Sequence, residues 1–331
     1  MLTKTNTIAR RMTPGRKLNI LTCPTHEGYQ TNLSRTGHNF YMLMAEGMKG
    51  WDFQTRPLPP NHYIFTIDHN AVVPHFQIDL ILCQNRLAQY PILAPLAKQW
   101  GIPMIVLDHT EPPPGLTKAQ MMQVAQMVGD YHVSITEHNK MSWDTEKYAP
   151  CRVIPHGIDT VAFDGWVGDG FYGISLVNHF AKRDLFCGYT LWRHIAQQVP
   201  MNLYGDNPDL GTESLIGESA INAKFRDARF FLNTSQYSPV PLSLLEAMAC
   251  GLPPVTTAKQ EIPNIIKNGV NGFISNDQSE LISFCKTLLN DQTLARTIRS
   301  AARQTIIEKF SMEQFVNNWN LVFNGVLEKY R

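Results

Sequence analysis

One carboxylate interrupts an otherwise apolar run. In SPVPLSLLEAMACGLPPVTT (238–257), Glu246 is the single charged side chain. Such a group must be paired, exposed in a cleft, or bound to a ligand. Proline is tolerated at a helix start, so Pro239 and Pro241 predict a first turn, with Ser238 as its N-cap. Gly251 suits the left-handed position that closes the helix, and Pro253 and Pro254 stop it. The first turn of a helix offers unpaired amides and a positive dipole end, which suits a phosphate. A carboxylate one turn further in could accept hydrogen bonds from sugar hydroxyls, and the two together would suit a sugar nucleotide. The other reading is a buried helix whose Glu246 caps a neighbour or pairs with an arginine.

The rest of the chemistry is bounded by what is missing. The sequence has no G-x-x-x-x-G-K-[ST] loop, no G-x-G-x-x-G after the first strand and no G-x-S-x-G elbow. P-loop phosphotransfer, nicotinamide Rossmann chemistry and ordinary α/β-hydrolase chemistry are disfavoured accordingly. No H-E-x-x-H or D-x-D occurs, so no metal site is expected. Six cysteines (23, 83, 151, 187, 250 and 285) are scattered without a C-x-x-C pair. They read as buried thiols of a reducing, cytoplasmic compartment.

The elements that must position Glu246 follow from pattern. A chain of 331 residues suggests two domains, and 44% hydrophobic with 17% charged residues is a soluble globular composition. A formal net charge of +1 gives no reason to expect a nucleic-acid surface. No run approaches the roughly 18 apolar residues of a membrane span. Residues 1–16, with Lys4, Arg10, Arg11 and Arg16, read as a basic tail that ends beside Lys17. KLNILTCPT (17–25), DLILCQN (79–85), IPMIVLDHTEPP (102–113), YHVSITE (131–137) and CRVIPHGID (151–159) read as buried strands ending in turns. PILAPLAKQWG and TKAQMMQVAQMVGD read as helices between them. The glycine-rich DGWVGDGFYG (164–173) is the candidate linker, and a second alternating set follows it. Strands alternating with helices predict an α/β protein with parallel sheets and a ligand at the carboxyl ends of the strands.

LLEAMACGLPPVTTAKQEIPNIIKNGVNGFISND resembles the donor-binding segment of retaining GT-B glycosyltransferases, in particular family 4 (glycosyl transferases group 1). Glu246, Gly251, Pro253, Val255, Glu261, Gly269 and Gly272 fall on that pattern. The resemblance extends more weakly over nearly the whole chain, through VLDHTEP (106–112), VIPHGID (153–159), LYGDNP (203–208) and EKFSMEQFVNNW (308–319). It implies two facing Rossmann-like, doubly wound domains with an interdomain cleft. The expected division is an acceptor domain over 17–163, completed by a returning helix at 312–331, and a nucleotide-sugar donor domain over 164–311.

The resemblance also implies roles. Glu246 would bind the ribose hydroxyls, and the amides at Leu242 and Ser243 the diphosphate. The family's basic pair is replaced by Asn178-His179, so Arg183, with its fixed donor fork, or Lys182 must supply the charge. Gly205 falls on a strand-end glycine loop, and His109 on the histidine brought toward the donor. The loop 24–41 would help choose the acceptor through His26, Glu27, Arg35 and His38; the same side chains could instead cap helices and pair with one another.

One departure stands out. Where the family carries a first glutamate and a G-F-G run, this chain has Ser238, Pro239, Val240 and Pro241, and the two prolines remove two amide donors. The expectation is a metal-independent transfer, with retention of configuration, of a sugar from a nucleoside diphosphate sugar to an acceptor hydroxyl, without cofactor. The acceptor is open: glycan, lipid-linked sugar, small molecule or modified nucleobase. A catalytically silent nucleotide-sugar-binding relative and a sugar-nucleotide epimerase are the alternatives.

Overall fold

The computed structural model describes residues 15–44, 47–66 and 77–330. Lys4, Arg10 and Arg11 lie outside them. The chain divides into two compact units. Unit 1 comprises residues 1–52, 58–154 and 313–331; unit 2 comprises 53–57 and 155–312. The crossing falls at Ile154–Pro155, inside VIPHGID rather than in the glycine-rich stretch. That stretch is built into unit 2: the amides of Val167 and Gly168 donate to the Arg226 carbonyl, and Trp166 is buried.

Unit 1 is a seven-stranded parallel sheet. Its strands are β1 (Asn19–Thr22), β2 (Asn39–Met44), β3 (His62–Thr66), β4 (Leu80–Cys83), β5 (Met104–Asp108), β6 (Tyr131–Ser134) and β7 (Cys151–Val153). Their order is β3-β2-β1-β4-β5-β6-β7, so the winding reverses between β1 and β4. β1, β4 and β5 are buried at every position, as their continuous apolar runs require. Two helices end as the sequence directs. Gly101 closes Tyr90–Trp100 in the left-handed conformation (φ 62°), and Thr117 with Gln120 forms a capping box on Lys118–Ala125.

Arg16 is not part of a tail. Its guanidinium grips both oxygens of the buried Asp79 at 2.8 and 2.6 Å, and Asp79 in turn accepts from the Asn19 amide. The first strand is thereby anchored at its start. The segment expected to be a polar loop contains a helix, Glu27–Leu33, and then β2. His26 caps that helix, its Nδ1 accepting from the Tyr29 amide at 3.3 Å.

Unit 2 is a five-stranded parallel sheet of β8 (Gly173–Leu176), β9 (Met201–Tyr204), β10 (Phe230–Asn233), β11 (Pro254–Thr256) and β12 (Phe273–Ile274). The order is β12-β11-β10-β8-β9, and the reversal falls between β8 and β10. Ile174, Phe225, Phe231, Leu244, Met248 and Ile298 belong to one continuous core. The Leu242–Cys250 helix lies almost wholly inside it, with only Ser243 partly exposed. Its N-cap is Pro241, not Ser238. Pro241 is extended (φ −66°, ψ 130°), and the Leu244 amide already donates to its carbonyl at 3.2 Å. Two prolines so close together hold the preceding residues out of the helical region, so the helix starts after both.

Candidate functional site

The sheet of unit 2 brings three predicted segments to one edge. The loop after β8 carries Asn178, Lys182 and Arg183; the loop after β9 carries Gly205; the loop after β10 leads through Ser238 to the Leu242–Cys250 helix. All are at carboxyl ends of strands, and the first and third flank the reversal between β8 and β10. That is where doubly wound sheets bind ligands. Gly205 has a positive φ of 120°, and a Cβ there would approach the Val177 carbonyl to 2.3 Å and Asn178 Oδ1 to 2.8 Å. It is a packing requirement of this edge. Asn178 Oδ1 accepts from the Asp206 amide at 2.9 Å, which ties the loops after β8 and β9 together.

Lys182 and Arg183 are exposed on a turn of 3-10 helix, Ala181–Arg183. Arg183 Nη1 donates to the Asn178 carbonyl at 3.4 Å, so its charge is held at the β8 end while it keeps its access to solvent. Val240 is buried in the core, so its contribution to a ligand is limited to its backbone. Ser238 is half-buried and does not cap the helix. The amides of Leu242 and Ser243 stand in the first turn, where a helix has no internal acceptors for them.

Glu246 is 4% exposed. Arg56 Nη2 donates to its Oε1 at 2.8 Å, and Arg56 is itself buried. The arginine comes from 190 residues earlier in the chain, on the segment Phe53–Pro57 that belongs to unit 2. Three contacts fix that segment. Besides the ion pair, Asn178 Nδ2 donates to Thr55 Oγ1 at 3.1 Å, and the Gly217 amide donates to the Thr55 carbonyl at 3.2 Å. Burial pushes the Glu246 carboxyl up to about 7; Arg56 opposes that rise and Glu218 adds to it. Sequence reasoning missed Arg56. The only signal was an arginine in a proline-rich, extended stretch, FQTRPLPP (53–60), and nothing in its spacing points to residue 246.

Unit 1 gathers a second polar cluster, at its own reversal between β1 and β4. Gln84, just past β4, donates from Nε2 to Thr22 Oγ1 (2.9 Å) and to Gln30 Oε1 (2.7 Å). Gln30 Nε2 donates to His62 Nε2 at 2.8 Å, so the His62 proton is on Nδ1, directed at the Pro60 carbonyl. Burial lowers His62 to about 4, and it stays neutral. His109 Nε2 donates to Gln84 Oε1 at 3.0 Å, which fixes its tautomer. His26 stacks on His109 with ring centroids 5.4 Å apart, and Tyr29 meets the same ring edge-on at 4.7 Å.

His109 and His26 are therefore brought together. The other three residues expected on the acceptor side are not. Glu27 is buried and committed to Lys49 (2.7 Å) and to the Asp52 amide. His38 sits at the amino ends of β1 and β2, where Nδ1 accepts from the Leu18 amide and Nε2 meets Asn320 Oδ1. Arg35 is exposed on the Ser34–Thr36 turn that leads to the same end of the sheet. Among the described residues no cluster of three His, Cys, Asp or Glu could hold a metal ion, and no helix is long and apolar enough to cross a membrane. The six cysteines form no disulfide.

This architecture is the GT-B fold. A structure of Anabaena HepE in complex with UDP and glucose superposes with a TM-score of 0.75 over 93% of this chain and 99% of that one, at 13% identity. Sucrose-phosphate synthase from Thermosynechococcus elongatus gives 0.73 over 95% of this chain and 100% of that one, at 15% identity. Residues 197–291 match the family model of Glycosyl transferases group 1. N-acetyl-alpha-D-glucosaminyl L-malate synthase from Bacillus anthracis is 34% identical over 88 residues, which cover 26% of this chain and 23% of that protein. The chain thus matches about a quarter of that relative's length.

Proposed function

We propose that the protein is a glycosyltransferase that takes its sugar from a nucleoside diphosphate sugar. The observation that carries this reading is Glu246: a buried carboxylate one turn into the helix that follows β10, at the reversal point of unit 2. Arg56 takes its Oε1, and no described residue donates to Oε2, which is placed to accept from ribose hydroxyls.

The departing diphosphate gains charge as the glycosidic bond breaks. Arg183 and Lys182 at the β8 end, with the first-turn amides of Leu242 and Ser243, supply fixed positive potential there. These are protein groups, so transfer needs no metal in this reading. No side chain is assigned as a nucleophile; retention then follows from attack by the acceptor hydroxyl on the face the nucleotide leaves. His109, held in one tautomer by Gln84, and His26 stacked on it are assigned to the sugar and acceptor side. The acceptor class stays open among glycan, lipid-linked sugar, small molecule and modified nucleobase.

Thermal shift with UDP, GDP, ADP and their sugars tests the site. A ligand at about 100 times its dissociation constant stabilises by roughly 2.7 kcal/mol. The expected result is a shift with one base in the wild type that is absent in Glu246→Ala; no shift with any of them rejects the reading.

A second reading has its own observation. Pro241 at the N-cap brings no amide, and Ser238 stands where the resembled pattern has a glutamate. A silent nucleotide-sugar binder would show the thermal shift but release no nucleotide, whatever acceptor is offered. Sugar transfer with nucleotide release would remove that reading, and the epimerase reading with it.

A further inference from the structure

The ribose carboxylate assigned above does not stand alone in its helix. It is buried in a core whose nearest strands, β10 and β11, carry no ionisable residue. From the Gly217–Asp227 helix, Glu218 bears on it with the same sign of charge. From the Gln292–Lys309 helix, Arg303 and Arg299 reach the far end of the Leu242–Cys250 helix, at the Ala249 carbonyl and at Gly251. Arg56 is the one cation bonded to the carboxylate itself among the described residues. An ionised carboxylate cannot persist in such surroundings without a counter-charge.

The arginine is held in place independently of the ion pair. Thr55 is pinned by Asn178 and by the Gly217 amide, and Arg56 Nη1 folds back on the Thr55 carbonyl at 3.3 Å. Pro57 follows directly, and a proline holds the residue before it extended. The guanidinium is thus delivered to one oxygen of Glu246, and no other described residue donates to the second oxygen.

We propose that Arg56 is a positioning residue of the donor site: it favours the ionised form of the Glu246 carboxylate and turns it so that Oε2 accepts the ribose hydroxyls of a nucleoside diphosphate sugar. The inference rests on the functional reading above and deepens it. Arg56 acts through Glu246 and not on the diphosphate. Arg56 Nη2 already occupies Oε1, and in this proposal the 53–57 segment stays in place when the ribose binds.

The consequence is a pH signature. A protonated Glu246 offers Oε2 either as a donor or as a poor acceptor, so affinity should follow its ionisation. With Arg56 present the midpoint lies at about 7. Removing the guanidinium leaves burial and Glu218 unopposed, so the midpoint must rise.

The test is titration of UDP-glucose, GDP-mannose and ADP-glucose by calorimetry from about pH 6 to about pH 9, a range over which a sugar-diphosphate diester keeps its charge. Wild type, Arg56→Gln and Arg56→Lys are compared, with melting curves to show that each is folded. The expected result is a loss of about fivefold at neutral pH in Arg56→Gln, recovered toward alkaline pH as its midpoint moves up by about one unit, with a smaller loss and a smaller upward shift in Arg56→Lys. Equal or tighter binding by Arg56→Gln at neutral pH overturns the proposal, because Arg56 would then be an occupant that the ligand displaces. A loss that does not recover at any pH overturns it too, because Arg56 would then touch the ligand or only hold the fold. If Arg56→Gln does not fold, a weakened and pH-shifted Arg56→Lys supports the proposal, and an unshifted midpoint with weakened affinity overturns it. If the wild type binds none of the three sugars, the functional reading fails and this inference falls with it, a result plainly different from binding without a pH shift.

Discussion

Trp319 donates its indole N–H to the Tyr29 hydroxyl at 3.0 Å, joining residues 290 positions apart inside unit 1. Both side chains are fully buried, and burial pushes the Tyr29 hydroxyl well above its ordinary pKa. Phe315, one helical turn before Trp319, meets the Tyr29 ring edge-on at 5.4 Å. The last helix, Met312–Glu328, is therefore a core element beneath the ring that abuts His109.

Trp319→Ala should destabilise the protein by about 3–5 kcal/mol, the range for emptying a buried aromatic site. Trp319→Phe keeps most of the volume but removes the indole donor to the Tyr29 hydroxyl, and should cost less. Denaturant unfolding followed by circular dichroism measures both. Equal stabilities for wild type and Trp319→Ala would show that the helix is not part of the core.

Glu246 predicts the sign of one segment of the pH–stability curve. Burial holds its folded pKa at about 7, above the ordinary 4.5, against the pull of Arg56. A raised pKa means that the folded form binds the proton more tightly. The stability it contributes is full below about pH 4.5 and is lost as pH rises through about 7. Glu246→Gln should flatten the melting temperature across that window relative to wild type. An identical slope in the two proteins would show that another group titrates there.

Arg86 and Asp108 form a second buried pair, next to His109 in the chain. Arg86 Nε donates to Asp108 Oδ1 at 2.7 Å, and His132 Nε2 lies 3.0 Å from Oδ2. Burial alone would raise the Asp108 pKa; His132 and Arg86 outweigh it and lower the pKa from its ordinary 3.8. The stability this carboxylate contributes is therefore present above its unfolded value and lost as pH falls through the lower folded one. Arg86→Ala leaves the carboxylate buried without its bidentate partner and should cost roughly 3–5 kcal/mol at neutral pH. A loss under about 1 kcal/mol in urea unfolding would mean that the pair is replaceable.

Arg183 is the opposite case. It is exposed, and its side-chain bond to the Asn178 carbonyl is long at 3.4 Å. Arg183→Ala should change stability by no more than about 0.5 kcal/mol. It should weaken a nucleoside diphosphate by about tenfold or more, the scale of a charge-assisted hydrogen bond, and weaken the bare nucleoside far less. Equal losses for the two ligands would take Arg183 out of the diphosphate site.

Periodicity and punctuation made much of the architecture readable. β1, β4 and β5 are continuous apolar runs, and Gly101 and Gly251 end helices where the pattern puts them. The same signals failed where polar residues are buried. Glu27–Leu33 reads as a loop because EGYQTNL has no apolar stripe; yet most of it is buried, because Gln30 joins the hydrogen bonds of Gln84 and His62. Arg16 looks like a tail residue until Asp79, 63 positions on, is seen to hold it. At the carboxyl edge of the unit 2 sheet the helix and its buried Glu246 were legible, because one carboxylate in an apolar run demands a reason. The alternative of an arginine partner was also legible in kind. Its identity was not, since a contact across 190 residues leaves no mark in local spacing.

The division of the chain has a consequence for how it is made. Unit 2 ends at Met312, and its out-of-order piece, Phe53–Pro57, leaves the ribosome long before the rest of it. Unit 1 starts first but cannot close over Tyr29 until residues 313–331 appear. The half of the protein that begins synthesis first is thus completed last. Until then Tyr29 lacks the Trp319 indole, whereas both partners of the Arg56–Glu246 pair are already in the chain. A nascent chain released near residue 312 would hold all of unit 2 attached to an incomplete unit 1.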